Sequence, residues 1–311
     1  MRISTSTIYD LGVGAITRQQ SALLKTQQQL ASGSRILTPA DDPIAAARAL
    51  ETTQSDSVNT QYSVNRGWAK DSLGQVDSVL ASADNLLQDA KQLTVQAGNG
   101  SYSDSDRLSV ATELKSRFDE LVSLANSTDG TGKYLLSGYS TSTLPFTNNA
   151  GTVQYSGDDG RRAIQVSATQ QLQISQNGRD LFERVPDGSG SYQSIFKTIN
   201  DLINVLQTPV TNAAAQAALT SGLSTANGNV TQALDHILAA RATVGANLNQ
   251  LDNLDNTGQN LGLQYKKTLS SLQDVDYAKA ISDLNLQQVS LQAAQQSFQK
   301  ITSLSLFDYI K

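Results

Sequence analysis

Apolar residues recur every seven positions at both ends of the chain. Near the start they fall at Ile16, Leu23, Leu30 and Leu37, with Gln20, Gln27 and Ser34 read as the companion positions. Near the end Tyr277, Leu284, Leu291 and Phe298 repeat the spacing, and Ile281, Gln288, Gln295 and Thr302 are read as the second stripe. A seven-residue apolar period predicts coiled-coil helices, while Gln on the partner stripe weakens the seam. The two ends are therefore natural partners for each other. The heptads fit a private internal pair as well as a seam between copies. So thin a seam offsets only part of the ordering entropy, about 1 kcal/mol per residue for the backbone. The terminal segments are thus expected to be disordered in a free monomer and to order when neighbouring copies cover their remaining faces.

Between these ends the period changes twice. The first segment runs over about 4–37, and between Gly33 and Pro43 its pattern breaks at Ser32-Gly-Ser, Thr38-Pro39 and Asp41-Asp42-Pro43. Asp42 before Pro43 reads as an N-cap followed by a first-turn proline, because Pro has no amide hydrogen to leave unpaired there. The Ala-rich run from Ile44 to Leu50 then predicts a helix from Pro43 to about Gln96, with an interruption near Gly67. Asp104 or Asp106 is expected to cap the next helix, running to about Asn126. Over 129–190 the texture is different, and nine of the chain's 21 glycines lie there. Val153-Gln-Tyr155, Ile164-Gln-Val166 and Leu172-Gln-Ile174 alternate with period two and predict short strands, with Gly157-Asp-Asp-Gly160 read as a hairpin turn. Helical spacing returns at Ile195, Ile199, Leu202, Ile203 and Leu206, then resumes past Pro209 as a long, weakly interrupted helix over 211–311.

The expected fold class is therefore mainly α with a β insert, a long helical hairpin or coiled coil formed by both termini with a small β-rich domain in the middle. Three parts are expected: terminal coiled-coil segments 1–40 plus 270–311, a helical rod domain 41–137 plus 191–269, and an inserted β-rich domain 138–190. The coiled coil would form the base and the β domain the tip.

Composition removes most chemistry from consideration. The 311 residues include no Cys and a single His, so disulfides, thiolate nucleophiles, zinc–thiolate sites and multi-His metal cages are out of reach. A net charge of -5 argues against binding nucleic acid or anionic lipid through a basic face. No stretch approaches the roughly 18 apolar residues of a membrane helix, and the start lacks the apolar core of a secretory signal peptide; on those rules alone the chain reads as cytosolic. His236 lies on a helical pattern without a second ligand at metal spacing and reads as an ordinary helix residue. Gly12-Val-Gly14 lacks the third glycine and the preceding strand of a dinucleotide turn. Asp158-Asp159 reads as a turn rather than a calcium loop, and Asp41-Asp42 as a cap rather than a catalytic pair. No catalytic, cofactor-binding or metal residue is assigned, and no cofactor is expected.

Several stretches are recognisable. The run from Leu86 to Asp106, containing Ala97-Gly-Asn-Gly100 and Ser103-Asp-Ser-Asp106, closely resembles the N-terminal region of the bacterial flagellin family. Ser32-Gly-Ser-Arg-Ile36 with Asp41-Asp42 resembles an earlier signature of that region. Arg241-Ala-Thr-Val-Gly-Ala-Asn247 and Asp274-Val-Asp276-Tyr-Ala278 are similar to elements of the flagellin C-terminal region. Tyr134-Leu-Leu-Ser-Gly138, Pro145-Phe146, Tyr155-Ser-Gly-Asp158, Arg161-Arg-Ala-Ile-Gln-Val166 and Ser305-Leu-Phe-Asp-Tyr309 resemble the junction members of the family rather than its filament members.

The resemblance implies a non-enzymatic structural subunit of the bacterial flagellum, secreted through the flagellar type III export apparatus and extracellular, which reverses the cytosolic reading. It further implies self-association in a ring of about eleven copies, a number carried over from the family, as head-to-tail contacts permit when they close. Hook-associated protein 1 is implied on the hook side, flagellin on the filament side, and an export chaperone on the C-terminal helix. The expected assembly residues are Ile16, Leu23, Leu30, Tyr277, Leu284, Leu291 and Phe298. Two alternatives are a minor filament flagellin and a secreted adhesin or hydrolase on a flagellin-like scaffold. Where many flagellins carry Arg in the helix read by a host innate receptor, Asp89 stands here, with Lys91 following, so that recognition is not carried over.

Overall fold

The structure, a computed structural model, describes residues 5–187 and 190–303. The Ser305–Tyr309 motif lies outside the described residues. In chain order the elements are α1 (Thr5–Ser32), α2 (Pro43–Ala97), α3 (Asp104–Ala125), β1 (Phe146–Asn149), β2 (Thr152–Tyr155), β3 (Ala163–Ser167), β4 (Gln170–Gln173), α4 (Gly178–Phe182), β5 (Val185–Pro186), β6 (Tyr192–Gln193), α5 (Ile195–Gln207), α6 (Ala213–Gln273) and α7 (Tyr277–Ser303). The fold is mainly helical, with long helices towards both ends and a small antiparallel-strand region in the middle. Its chain divides into two compact units, 1–59 with 260–311, and 60–259.

In the terminal unit α1 stops at Ser32, where the sequence pattern breaks, because Gly33 turns into the left-handed region at φ +70°. The start of α2 is capped as expected: Asp42 Oδ1 accepts from the Ala45 amide at 3.0 Å, and Pro43 takes the first helical position. The long final helix expected over 211–311 is instead two helices. After Gln273 the chain leaves the helix, and Asp276 restarts it by accepting from the Lys279 amide at 3.1 Å.

In the central unit α2 passes Gly67 without a break, contrary to the expected interruption. One glycine costs a helix only about 1 kcal/mol against Ala, and the buried neighbours Arg66, Ala69 and Leu73 outweigh that. The cap of α3 is Ser103 rather than Asp104 or Asp106. Ser103 Oγ accepts from the Asp106 amide while Asp106 Oδ2 accepts from the Ser103 amide at 2.9 Å, so each residue satisfies an end group of the other.

The predicted strand residues lie in or at the edge of β2, β3 and β4, but their pairing differs from expectation. The strands form three separate antiparallel pairs, β1–β2, β3–β4 and β5–β6. The Gly157–Gly160 turn links two pairs and folds no hairpin. The β1–β2 hairpin turns at Ala150 and Gly151, both at positive φ, the geometry that matches the right-handed twist of paired strands. Strand β1 has no alternation in the sequence. It is held by Asn126, whose side-chain amide donates to the Phe146 carbonyl at 2.8 Å while its Oδ1 accepts from the Phe146 amide at 2.9 Å.

Aromatics are scarce in the chain, yet four of its six Phe gather at one place. Phe146 meets Phe182 edge-on at 5.6 Å between ring centroids and Phe196 at 5.2 Å, and Phe118 approaches Phe196 at 6.2 Å. All four are buried. They join α3 and α5 to the strand region and supply the specific packing that short two-stranded pairs cannot provide alone. Helix α2 fixes the β3–β4 hairpin by its backbone: Asn65 Nδ2 donates to the Gln165 carbonyl at 2.7 Å, Arg66 Nη1 to that of Val166 at 3.0 Å, and Ser72 Oγ to that of Ile174 at 2.8 Å.

Candidate assembly interface

Helices α1 and α7 pack against each other in the terminal unit. Their direction is antiparallel: Phe298 lies against Gly12, Gln19 Nε2 donates to the Gln287 carbonyl at 3.4 Å, and Tyr277 Oη approaches Gly33. Of the sequence-predicted residues, Ile16, Leu23 and Leu30 lie half-buried along one face of α1, and Leu284, Leu291 and Phe298 along one face of α7. Tyr277 is 54% exposed and only its hydroxyl end reaches α1. Leu37 lies in the loop after α1, off this seam.

The companion stripes are not those the heptads suggested. Gln20, Gln27, Gln288 and Gln295 are exposed, as is Ile281. The second seam of α1 is Gly12, Gln19, Thr26 and Gly33, and that of α7 is Ala280, Gln287 and Ala294. Both choices keep a seven-residue period. The correct one steps three residues on from each apolar residue instead of four, and apart from Gln19 and Gln287, which hydrogen-bond across it, it is marked by small residues rather than apolar ones. Small side chains let the two backbones approach, and Thr26 and Ala280 are almost fully buried there. The apolar residues left over point elsewhere: Leu11, Val13 and Leu24 on α1 and Leu286 and Val289 on α7 are exposed.

The loop after α1 holds the α6–α7 break in place. The Arg35 amide donates to the Gln273 carbonyl at 2.6 Å and the Val275 amide to that of Gly33 at 3.0 Å, so each strand of backbone closes the other's open groups. Arg35 Nη2 reaches the Leu272 carbonyl at 2.8 Å and its Nη1 reaches Asp42 at 3.1 Å. Asp41 accepts from Lys25 Nζ at 2.6 Å and from the amides of Leu37 and Thr38. The Lys25 hydrogen bond, followed by the Thr38 amide, lowers the Asp41 carboxyl to about 2. The Ala45 amide and then Arg35 hold Asp42 below the usual carboxylate range. Ser32–Ile36, Asp41-Asp42 and Asp274–Ala278, recognisable separately in the sequence, are therefore parts of one clamp.

The candidate chemistry of the central unit resolves into structure. His236 Nε2 lies 2.8 Å from the Asp180 carbonyl. Asp158 accepts from the amides of Tyr139 and Gly160 and from Ser140 Oγ, the pattern of a turn. Arg161 and Arg184 both pair with Asp180 at 2.9 Å, and Arg179 with Asp159 at 3.1 Å. Burial raises Tyr155 to about 12, its hydroxyl donating to the Asp158 and Leu136 carbonyls. Arg241, the first residue of the C-terminal signature, ties α6 to α2 through Asp77 at 3.3 Å. Sequence reasoning missed a second tie on the same helices, where Arg66 and Lys70 meet Asp255 at 2.5 Å each. Burial pushes Asp255 up, and the Lys70 and Arg66 hydrogen bonds more than reverse it, leaving the carboxyl lowered. Among the described residues, no group of three His, Cys, Asp or Glu could hold a metal ion, and no helix is long and apolar enough to cross a membrane.

Family models identify residues 3–141 as the bacterial flagellin N-terminal helical region and 228–310 as the bacterial flagellin C-terminal helical region. The chain belongs to the bacterial flagellin family. Within that family, flagellar hook-associated protein 3 of Escherichia coli is 35% identical over 319 residues, covering 100% of both chains. The Salmonella typhimurium protein of the same name is 35% identical over 99% of both. Flagellin of Bacillus subtilis is 28% identical over 90% of this chain and 89% of its own. In fold, the crystal structure of flagellar hook-associated protein-3 from Legionella pneumophila matches with a TM-score of 0.68 at 21% identity, covering 71% of this chain and 98% of that one. Xanthomonas campestris FlgL matches with a TM-score of 0.64 at 23% identity, over 70% and 99%. The protein is a structural component of the flagellum, of the hook-associated kind.

Proposed function

We propose that the chain joins hook to filament as a non-enzymatic, extracellular subunit, with the α1–α7 pair as its assembly element. Full-length likeness to hook-associated protein 3 supports the location. The observation that carries the mechanism is the seam itself. Its inner stripe is small and polar-diluted, while Leu11, Val13, Leu24, Leu286 and Val289 remain uncovered on its outer faces. Burying each such side chain is worth about 1.5–3 kcal/mol, so neighbouring copies gain by covering them, and the terminal segments order as they assemble. In this reading copies close into a ring between hook-associated protein 1 and flagellin, after export with a chaperone on the C-terminal helix. Ile16, Leu23, Leu30, Tyr277, Leu284, Leu291 and Phe298 serve assembly rather than the fold of the central unit.

Leu291→Asp tests this. The purified variant is expected to keep the helicity and unfolding midpoint of the central unit, and cells carrying it are expected to lose swimming and to secrete flagellin unassembled. A variant that supports normal swimming would remove the seam from the mechanism.

A further inference from the structure

We propose that Trp68 of one copy docks into a groove between α2 and α6 of the next copy, making a head-to-tail contact separate from the terminal seam. Trp68 is the sole Trp of the chain and stands 70% exposed on α2. Val64, one turn earlier on the same face, is also exposed, whereas Ala69 and Leu73 turn into the core. An exposed Trp beside a second apolar side chain, rimmed by the polar residues Gln61, Asp71 and Gln75, has the make-up of an interface anchor.

The groove lies further along α2 in the same unit. It has a volume of about 510 Å³ and is lined by Val95, Leu234 and Leu238 on its apolar walls and by Asp84, Lys91 and Asp235 on its polar side. Val95 and Leu238 are themselves exposed. Asp84 is only 6% exposed and turns its Oδ2 to Arg241 at 3.6 Å, closing the floor, whereas Asp235 is exposed at the side. An indole has an apolar body and one N–H that donates and cannot accept. A groove with apolar walls and the exposed carboxylate of Asp235 at its side, able to accept that N–H, is its complement.

Knob and groove cannot meet within one chain. Trp68 stands 16 positions before Asp84, the nearest groove residue on the same unbroken helix, about 24 Å at 1.5 Å per residue and well beyond the reach of an indole. The occupant assigned to the groove is the Trp68 of a second copy, whose apolar body matches the Val95, Leu234 and Leu238 walls, and because the two surfaces differ the contact is directional. This inference rests on the reading of the chain as a self-assembling subunit but not on the seam residues.

The absence of Cys makes the test clean. Cells making the full chain with both Trp68→Cys and Leu238→Cys are grown, and their isolated flagella are oxidised and separated without reductant. The expected result is a ladder of dimers and higher multimers, absent from either single variant. Swimming cells whose flagella yield no ladder, or a Trp68→Cys single variant that forms dimers by itself, would overturn the docking while leaving the junction role intact. An independent readout uses Trp68→Ala, Leu238→Ala and the pair, scored by filament loss under shear. Each single change is expected to raise the loss about tenfold, and the pair no more than either alone, since both remove one contact. Effects that multiply in the pair would overturn it.

Discussion

Phe298 of α7 lies across Gly12 of α1 so closely that a Cβ on residue 12 would stand 2.5 Å from the ring's Cδ2. The position accepts no side chain while the ring stays where it is. Tyr9 completes the contact, its ring centroid 5.2 Å from that of Phe298. Gly12→Val is expected to displace the ring and weaken the α1–α7 pair by about 1–3 kcal/mol, the usual cost of overpacking. Phe298→Leu added to Gly12→Val should recover part of that loss. The temperature at which heat releases the subunit from isolated flagella, where the pair is assembled, would read both.

Asn126 satisfies both backbone groups of Phe146 at once, and Phe146 is buried. Asn126→Ala leaves a buried amide and carbonyl unpaired, a loss of about 2–4 kcal/mol from two such groups. The denaturant midpoint of the central unit is expected to fall accordingly, with an unchanged slope. Asn126→Asp should lose less, because a carboxylate still accepts from the Phe146 amide.

Acid should loosen the clamp through Asp41. Its folded carboxyl titrates at about 2, below the ordinary value near 3.9 of an unfolded chain, so the folded state holds fewer protons between those values. The stabilisation is therefore complete above about pH 5 and is lost as pH falls from about 4 to 2. Carbon-detected NMR of the Asp41 carboxyl is expected to give a midpoint near 2, and Lys25→Ala should move it upward, since Lys25 is the largest cause. Asp41→Asn should remove this part of the pH dependence.

Arg66 is 3% exposed and answers two groups, Asp255 and the Val166 carbonyl. Arg66→Met is expected to cost about 2–4 kcal/mol, somewhat below the 3–5 typical of a broken buried pair because Lys70 still neutralises Asp255. Arg66→Met with Asp255→Leu should recover most of the loss. Equilibrium unfolding of the central unit distinguishes the two results.

The helical outline was legible because heptads, caps and Ala-rich runs are local signals. Asp42-Pro43 marked the start of α2 correctly, and the α5 pattern from Ile195 to Leu206 is the buried face of that helix. What escaped was set by partners distant in sequence. The break at Gln273 depends on backbone bonds from Gly33 and Arg35, and β1 depends on Asn126, so neither leaves a pattern in its own segment. The second seam stripe escaped for a different reason. Gly12, Thr26, Ala280 and Ala294 bury themselves by being small, and an apolar period reads straight past them. Among the candidate site residues the leucines announce themselves by spacing, whereas exposed Trp68 carries no periodic signal at all.

The clamp joins a loop at residues 33–42 to one at residues 273–276, so its closure spans most of the polypeptide. Contacts of such long sequence separation form late, because the intervening loop must be drawn together before they repay it. A chain delivered from its N-terminus would therefore complete residues 60–259 first, with its opening segment waiting unsealed until residues 273–276 arrive. Timing is thereby written into the fold, since the clamp has nothing to close on before residues 273–276 are in place.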